Sequence, residues 1–326
     1  MGDDDLNEHY LYSKAPLWSI YTQLSFDVVM LFAAPTLLVA VVIRKIFHRN
    51  LIALLVNLQA AYIIYALTRL YLIFTALRIA TLSHSIYAFT WKLNNFSLYT
   101  ASLNMAALVT ERVSAVMFAR FYEKFCDRIP LYGICLAIVQ WGISSIIISL
   151  YTDGALSRFT VIAIWFCCHL FASMIFIVLP RITTRMYERK LREPQNAPSH
   201  RLLSEQYQLS ENVRTATLLR PIILLVGVTS CIAPTSFFVL SFSPNHQSAL
   251  FMTSMHLQLP IEAIALTAVM FARCPQLRMG MAVSLRCRNA VAPSSYPPRS
   301  LNGKTLVVPL EEEGTIYFGA LAKAWA

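Results

Sequence analysis

The chain consists of seven long apolar stretches separated by polar connections, and it shows no sustained alternation of apolar and polar residues. Each stretch has about the 20 residues needed to cross the hydrocarbon core of a bilayer, which is roughly 30 Å thick. Because backbone groups in hydrocarbon need partners within their own span, each stretch is predicted to be a helix, and the missing alternation argues against a barrel. The predicted spans are Leu24–Ile43, Leu51–Ile73, Asn94–Phe118, Pro130–Leu150, Phe159–Leu179, Leu218–Leu240 and Ala249–Phe271.

The composition favours a membrane protein over a soluble one. Of the 326 residues, 57% are hydrophobic and 13% are charged, whereas soluble domains average about 45–50% and about 25%. We therefore predict an all-α membrane protein, a seven-transmembrane helix bundle without a separate soluble domain. Residues 1–23 should form an N-terminal segment, 24–271 the bundle and 272–326 a tail. The acidic start, Met1–Asp5, is unlike a cleavable signal peptide, so the first span should serve as an uncleaved insertion signal.

The basic residues predict an orientation. Seventeen Lys and Arg residues lie in the proximal tail and in the connections after the first, third and fifth spans, whereas the N-terminal segment and the opposite connections together carry four. Because basic residues collect on the cytoplasmic side, we predict that the N-terminus is outside and the C-terminus is cytoplasmic. The same bias accounts for the net charge of +10 without a nucleic-acid partner, and it predicts contact with membrane lipid.

Polar residues within the spans are candidates for function, because ionisable groups are costly in hydrocarbon. Glu262, near the centre of the last span, shares a helix face with Gln258 one turn earlier. The ligand-pocket candidates, on four spans, are Thr100, Asn104, Gln140, His169, Gln258 and Glu262. These residues could instead join helices without a ligand. Asp27 and Arg69 lie near the outer ends of their spans, where we expect them to reach headgroups or water.

The sequence lacks the motifs G-x-S-x-G and H-E-x-x-H and has no glycine-rich phosphate loop, so we expect no catalysis, no cofactor and no metal. None of the seven cysteines lies in a predicted outer connection, so we expect no outer disulfide. Cys274 and Cys287 flank the inner membrane surface, where palmitoylation and plain thiols both stay open. Asn95 begins a sequon at the outer membrane edge, where we expect poor access for glycosylation.

The third span ends with Thr110-Glu111-Arg112-Val113. This acidic–Arg pair, the seven spans and the long basic connection before the sixth span together resemble G-protein-coupled receptors. The resemblance implies an ion pair at the cytoplasmic mouth that holds an inactive state and releases it on activation. The chain differs from the large rhodopsin-like class, because its last span carries Leu259-Pro260-Ile261-Glu262 in place of N-P-x-x-Y. No cysteine stands at the outer end of the third span either.

Two longer segments resemble the nematode serpentine chemoreceptors, most of all the epsilon class (Sre) within the Sra group. These segments are Glu111–Ala115 running on to Phe121–Lys124, and Leu203–Arg214 before the sixth span. The resemblance covers about residues 20–280, and we expect none for the tail beyond Arg288. It implies a receptor in the plasma or ciliary membrane of sensory neurons that detects a small environmental molecule, an odorant or pheromone, and couples to a heterotrimeric G protein.

The resemblance also implies a mechanism, in which a ligand enters among spans three, five, six and seven and shifts the populations of two helix arrangements. The switch and coupling candidates are Glu111, Arg112, Arg120, Lys124, Arg185, Arg189 and Arg214. For the basic residues the alternative is attraction to anionic lipid. The alternative function is a transporter or ion-channel subunit that uses Glu262 and His169 as an ion pathway, although the repeats of many transporters are missing. A membrane scaffold without a ligand also stays open.

Overall fold

A computed structural model describes residues 16–44, 47–79, 83–118, 122, 130–192, 212–229, 247–275 and 277–278. The chain divides into two units, Met1–Ala282 and Val283–Ala326, and all described residues belong to the first. The coupling candidates Arg120 and Lys124, the tail beyond residue 278 and the second half of the predicted sixth span lie outside the described residues.

The described residues form seven helices of at least 18 residues and contain no strand. They are α1 (Leu17–Arg44), α2 (Arg49–Ala76), α3 (His84–Met117), α4 (Leu131–Thr152), α5 (Arg158–Arg192), α6 (Asn212–Thr229) and α7 (Gln247–Arg273). Each predicted apolar segment overlaps one of these helices, and the prediction of an all-helical membrane bundle is confirmed.

The outer surface of the bundle is apolar. In the described part of the chain, five helices (α1, α2, α4, α5 and α6) are long and apolar enough to cross a membrane. Large apolar side chains point away from the core; Phe32, Ile138 and Phe171 are 73%, 65% and 63% exposed. Such a surface would drive a soluble protein to aggregate, but it suits the hydrocarbon of a bilayer. The protein is therefore a multi-pass membrane protein.

Helix α3 is central to the packing. It contacts α2, α4 and α5, while α1 packs between α2 and α7. The interior contains fully buried apolar side chains from several helices, among them Leu54, Leu58, Phe176 and Leu259. Because α3 joins both sides of the bundle, polar side chains along it reach several neighbours.

Two helices extend beyond the apolar segments that predicted them. Helix α3 begins at His84 rather than at Asn94, and α5 continues past Leu179 through Pro180 to Arg192. Hydropathy marks only the residues that tolerate hydrocarbon, whereas backbone hydrogen bonding continues the helix through polar residues. Helix length therefore exceeds the span length that the pattern predicts.

The start of α4 approaches the start of α2 closely at Gly133. A Cβ atom on Gly133 would lie 2.6 Å from the Asn50 carbonyl oxygen and 3.0 Å from the Asn50 Cα. Both are backbone atoms of a packed helix and cannot turn aside as a flexible side chain would. Glycine is therefore needed at this contact.

Replacing Gly133 by alanine should force α2 and α4 apart. We expect Gly133→Ala to lower the free energy of unfolding by about 1–3 kcal/mol, as overpacking typically does. The matched control is Gly142→Ala on the same helix, where an added Cβ meets nothing within 4 Å. Thermal unfolding of the purified variants in detergent tests this, and equal stability of both variants would contradict it.

Candidate functional site

A buried ion pair lies near the last turn of α3. The Arg112 guanidinium donates from Nε and Nη2 to the two carboxylate oxygens of Glu111. Glu111 and Arg112 are 0% and 2% exposed, so neither charge is in contact with solvent. A buried charge is tolerated when it is paired and hydrogen-bonded. The two-point contact supplies the pairing, and neighbouring helices supply further hydrogen bonds.

Helix α6 is attached to this pair through one residue, Asn212. The Asn212 Oδ1 accepts a hydrogen bond from Arg112 Nη1 at 3.2 Å, and its Nδ2 donates to the Ala115 carbonyl at 3.1 Å. One buried amide therefore joins the start of α6 to the end of α3. The sequence analysis did not name Asn212 as a site residue, although Asn212 lies within the segment Leu203–Arg214 that carries the family resemblance.

A second connection runs from the ion pair to α2 and α4. The Tyr122 hydroxyl donates to Glu111 Oε1 and accepts from Asn50 Nδ2 at 2.9 Å. The Asn50 Oδ1 in turn accepts from the Gly133 backbone N–H at 3.2 Å. Burial, followed by the charge of Glu111, raises the pKa of Tyr122 well above its usual range, so its hydroxyl stays protonated and can donate. Four helices thus meet around one carboxylate–guanidinium pair.

Three of the predicted pocket residues are brought together by hydrogen bonds. The Gln140 Nε2 donates to the Thr100 carbonyl, and its Oε1 accepts from Asn57 Nδ2 at 3.1 Å and from Asn104 Nδ2 at 3.4 Å. The Thr100 hydroxyl instead donates to the Phe96 carbonyl of its own helix at 2.9 Å. The amide of Gln140 therefore joins α2, α3 and α4.

Two other pocket candidates form a separate group on α7. The Gln258 Nε2 donates to Glu262 Oε1 at 2.7 Å, and Thr229 Oγ1 donates to the same oxygen at 3.0 Å. The shared helix face of Gln258 and Glu262 is confirmed, and both residues are buried. Glu262 thereby joins α7 to the last described residue of α6.

The sixth pocket candidate, His169, belongs to neither group. Its ring centroid lies 6.0 Å from that of Trp165 on the same helix, and within the described ranges its Nε2 has no hydrogen-bond partner. The described hydrogen bonds therefore distribute the six candidates over two groups and one separate residue, rather than over one pocket.

The expectation that Asp27 and Arg69 reach water is wrong. They are 1% and 2% exposed, and Arg69 Nη2 donates to Gln23 Oε1 at 2.6 Å. The reason is that α1 begins at Leu17 and α2 continues to Ala76, so both positions lie inside the bundle rather than at its margin. The sequence analysis missed Gln23 altogether.

The remaining predicted residues lie nearer the surface, except for Asn95 and Cys274. The coupling candidates Arg185, Arg189 and Arg214 are exposed. The sequon at Asn95 lies within α3, and the Cys274 side chain is buried, so palmitoylation there would require local opening. In the described part of the chain, no group of three or more His, Cys, Asp or Glu residues could hold a metal ion.

Comparison with known proteins identifies the class that this architecture suggests. The profile described as Sre G protein-coupled chemoreceptor matches residues 88–326. The match covers well over half of the chain, and the chain therefore belongs to the Sre family of G protein-coupled chemoreceptors. No curated protein matches the chain significantly.

The family match confirms the predicted resemblance and corrects its extent. It begins at residue 88, so α1 and α2 lie outside it, and it continues to Ala326. The expectation that the tail beyond Arg288 resembles nothing was wrong. The matched region includes the ion pair, Asn212 and Glu262.

Removing the Tyr122 hydroxyl should destabilise the cluster around the ion pair. Tyr122→Phe leaves the buried Asn50 Nδ2 without its acceptor and Glu111 without one donor. We expect a loss of about 1–3 kcal/mol in the free energy of unfolding. Tyr71→Phe, at a 42% exposed position on α2, is the matched control and should be neutral. Unfolding curves for both variants in detergent measure this, and a stable Tyr122→Phe variant would show that the hydroxyl is dispensable.

Proposed function

We propose that this chain is a chemosensory G-protein-coupled receptor that binds a small environmental molecule and activates a heterotrimeric G protein. It crosses the membrane of a sensory neuron seven times, with its N-terminus outside and its C-terminus in the cytoplasm. Membership of the Sre family supports the receptor class. The observation that supports a switch is the contact between Arg112 on α3 and Asn212 on α6.

The proposed switch depends on the two different partners of Arg112: Glu111 is charged, and Asn212 is neutral. When α6 moves away from α3, Arg112 loses Asn212 but keeps Glu111, which is its immediate neighbour in the chain. Separation therefore breaks one hydrogen bond to a charged group without leaving an unpaired charge. A hydrogen bond of this strength can stabilise one arrangement of the helices. A ligand that binds the other arrangement more tightly can still shift the population towards it.

The ligand would act on α6 from its other described end. Thr229 is bonded to Glu262 on α7, while Asn212 is bonded to α3, so α6 is held near both ends of its described length. We propose that a ligand that contacts Glu262 or Gln258 changes this attachment and thereby the balance at Asn212. Thr100, Asn104 and Gln140 are proposed as part of the pocket wall.

The proposed G-protein surface is basic. Arg185 and Arg189 lie on the extension of α5 beyond Pro180, and Arg214 lies two residues after Asn212, the first described residue of α6. All three are exposed, and movement of α6 would change their spacing. Arg120 and Lys124, which lie outside the described residues, are proposed as G-protein contacts on the basis of the sequence alone. Anionic lipid headgroups are the alternative partner for these charges.

The alternative function is a transporter or ion-channel subunit that uses Glu262 and His169. In the described part of the chain His169 Nε2 has no hydrogen-bond partner, so no hydrogen bond from this atom starts a proton relay towards Glu262. Uptake or ion current without ligand in reconstituted vesicles would favour this alternative.

The contact between α3 and α6 can be tested by signalling in heterologous cells. Asn212→Ala should raise ligand-independent G-protein activation roughly tenfold, because a hydrogen bond to a charged group contributes about 1.5–3 kcal/mol. Arg112→Ala should abolish the response to odorants. The matched control is Thr217→Ala, since the exposed Thr217 hydroxyl bonds only the Val213 carbonyl of its own helix at 2.8 Å.

All three variants must reach the cell surface at equal levels for this comparison. An unchanged basal signal in Asn212→Ala, together with an intact response in Arg112→Ala, would contradict the proposed switch.

The proposed topology predicts the sides on which the two termini lie. An epitope tag at the N-terminus should bind antibody on intact cells, whereas a tag at the C-terminus should bind only after permeabilisation. Two tags on the same side would indicate an even number of spans and would overturn the proposed orientation.

A further inference from the structure

Two ring nitrogens on α5 are buried without hydrogen-bond partners among the residues that the structure describes. They are Trp165 Nε1 and His169 Nε2, in residues that are 6% and 2% exposed. The two residues are four positions apart, which is about one helical turn, and their ring centroids lie 6.0 Å apart. The two rings that carry these unsatisfied nitrogens thus lie about one helical turn apart within the bundle.

Such atoms are costly, and a protein has a simple way to avoid them. Leaving a buried donor or acceptor unpaired costs about 1–3 kcal/mol, and most buried polar atoms are paired. Several buried Ser and Thr hydroxyls in this bundle are satisfied by their own helix; for example, Ser97 Oγ donates to the Leu93 carbonyl at 2.7 Å. The rigid indole and imidazole rings cannot fold back in this way. Their nitrogens need a partner from elsewhere.

We propose that Trp165 and His169 form a two-point hydrogen-bonding site for an uncharged small molecule that carries oxygen, such as a ketone or an ester. This inference rests on the proposed receptor function and specifies the chemistry of its ligand. The indole N–H only donates, so the ligand must supply an acceptor. His169 Nε2 donates or accepts according to its tautomer, so it can bond a second polar atom.

The surroundings exclude a charged ligand. Trp165 belongs to the main hydrophobic core, together with Met105 and Ala172. The ion pair between Arg112 and Glu111 does not involve His169, and within the described residues no acidic or basic group pairs with His169. A charged ligand at this site would be buried without a counter-ion, which is strongly unfavourable. A neutral oxygen on an apolar body fits both the nitrogens and the core.

The test uses the full chain reconstituted in lipid nanodiscs, with the unfolding temperature as readout. The probes are medium-chain methyl ketones and methyl esters, alkanes of the same length, and the matching alkylammonium and carboxylate ions. The variants are Trp165→Phe, which removes the N–H but keeps an aromatic ring, and His169→Leu. The matched controls are Trp18→Phe and His84→Leu, at exposed positions.

The expected result separates binding from a structural role. Ketones or esters should raise the unfolding temperature, whereas alkanes and ions should not. Trp165→Phe and His169→Leu should each weaken this effect about fivefold in apparent affinity, which corresponds to one ordinary hydrogen bond. Without probe, His169→Leu should be as stable as the wild type or more stable, because an unpaired buried nitrogen is replaced by apolar atoms of similar volume, whereas Trp165→Phe also leaves a small cavity in the core and should lose some stability. The control variants should match the wild type in both measurements.

Three results would overturn the proposal. If His169→Leu is less stable than the wild type without probe, His169 Nε2 has a protein partner. If probes stabilise wild type and variants equally, the ligand lies elsewhere. If only the ions stabilise the chain, or no probe does, the ligand class is wrong and ordered water is the remaining partner. Stabilisation by ketones without any G-protein activation would overturn the proposed function alone.

Discussion

The buried guanidinium of Arg112 needs a counter-charge and hydrogen-bond acceptors, and the residues at one end of the bundle have to supply them. It carries five N–H donors and a fixed charge, and the structure surrounds it with apolar helices. Its counter-charge comes from the adjacent residue, Glu111, so the charge stays neutralised whatever the neighbouring helices do. The contacts that depend on helix position, from Asn212 and Tyr122, are made by neutral groups. A neutral contact can be lost at moderate cost, whereas the loss of the buried counter-charge would cost several kcal/mol.

In the rest of the bundle, too, specific contacts rather than apolar burial determine which helices are neighbours. Lipid tails are as apolar as leucine side chains, so the burial of apolar surface alone gives helices little preference for each other over lipid. Specific partners are selected by close approach and by hydrogen bonds. Gly133 lets α4 approach α2, Gln140 joins α2, α3 and α4, and Ser19 contacts Thr253 across α1 and α7 at 3.0 Å. These contacts define which helices are neighbours, while the apolar side chains fill the space between them.

The sequence predicts well which segments lie in the membrane, but it predicts poorly which residues and helices contact each other. Apolar stretches located all seven helices, and helical periodicity placed Gln258 and Glu262 on one face. Hydropathy could not predict where α3 begins, because that turn is polar but still helical. Asn50 and Tyr122 escaped notice because they are 72 positions apart, and nothing local to either residue indicates the other. Arg69 was misplaced because its depth depends on the length of the neighbouring helix.

Helix α5 is longer than a membrane span and contains a proline, Pro180, at which it can bend. Its 35 residues measure about 52 Å, well beyond the roughly 30 Å of hydrocarbon that a span must cross. Proline is the usual site of a sharp bend in a helix, and Pro180 divides α5 into a membrane arm and a shorter arm of about 18 Å that ends at Arg192. A kink of about 20° at Pro180 would displace the end of the shorter arm by about 6 Å. The arm from His169 to Pro180, about 16 Å long, is nearly as long as the arm from Pro180 to Arg192, so a rigid bend at Pro180 would move the two ends by similar distances.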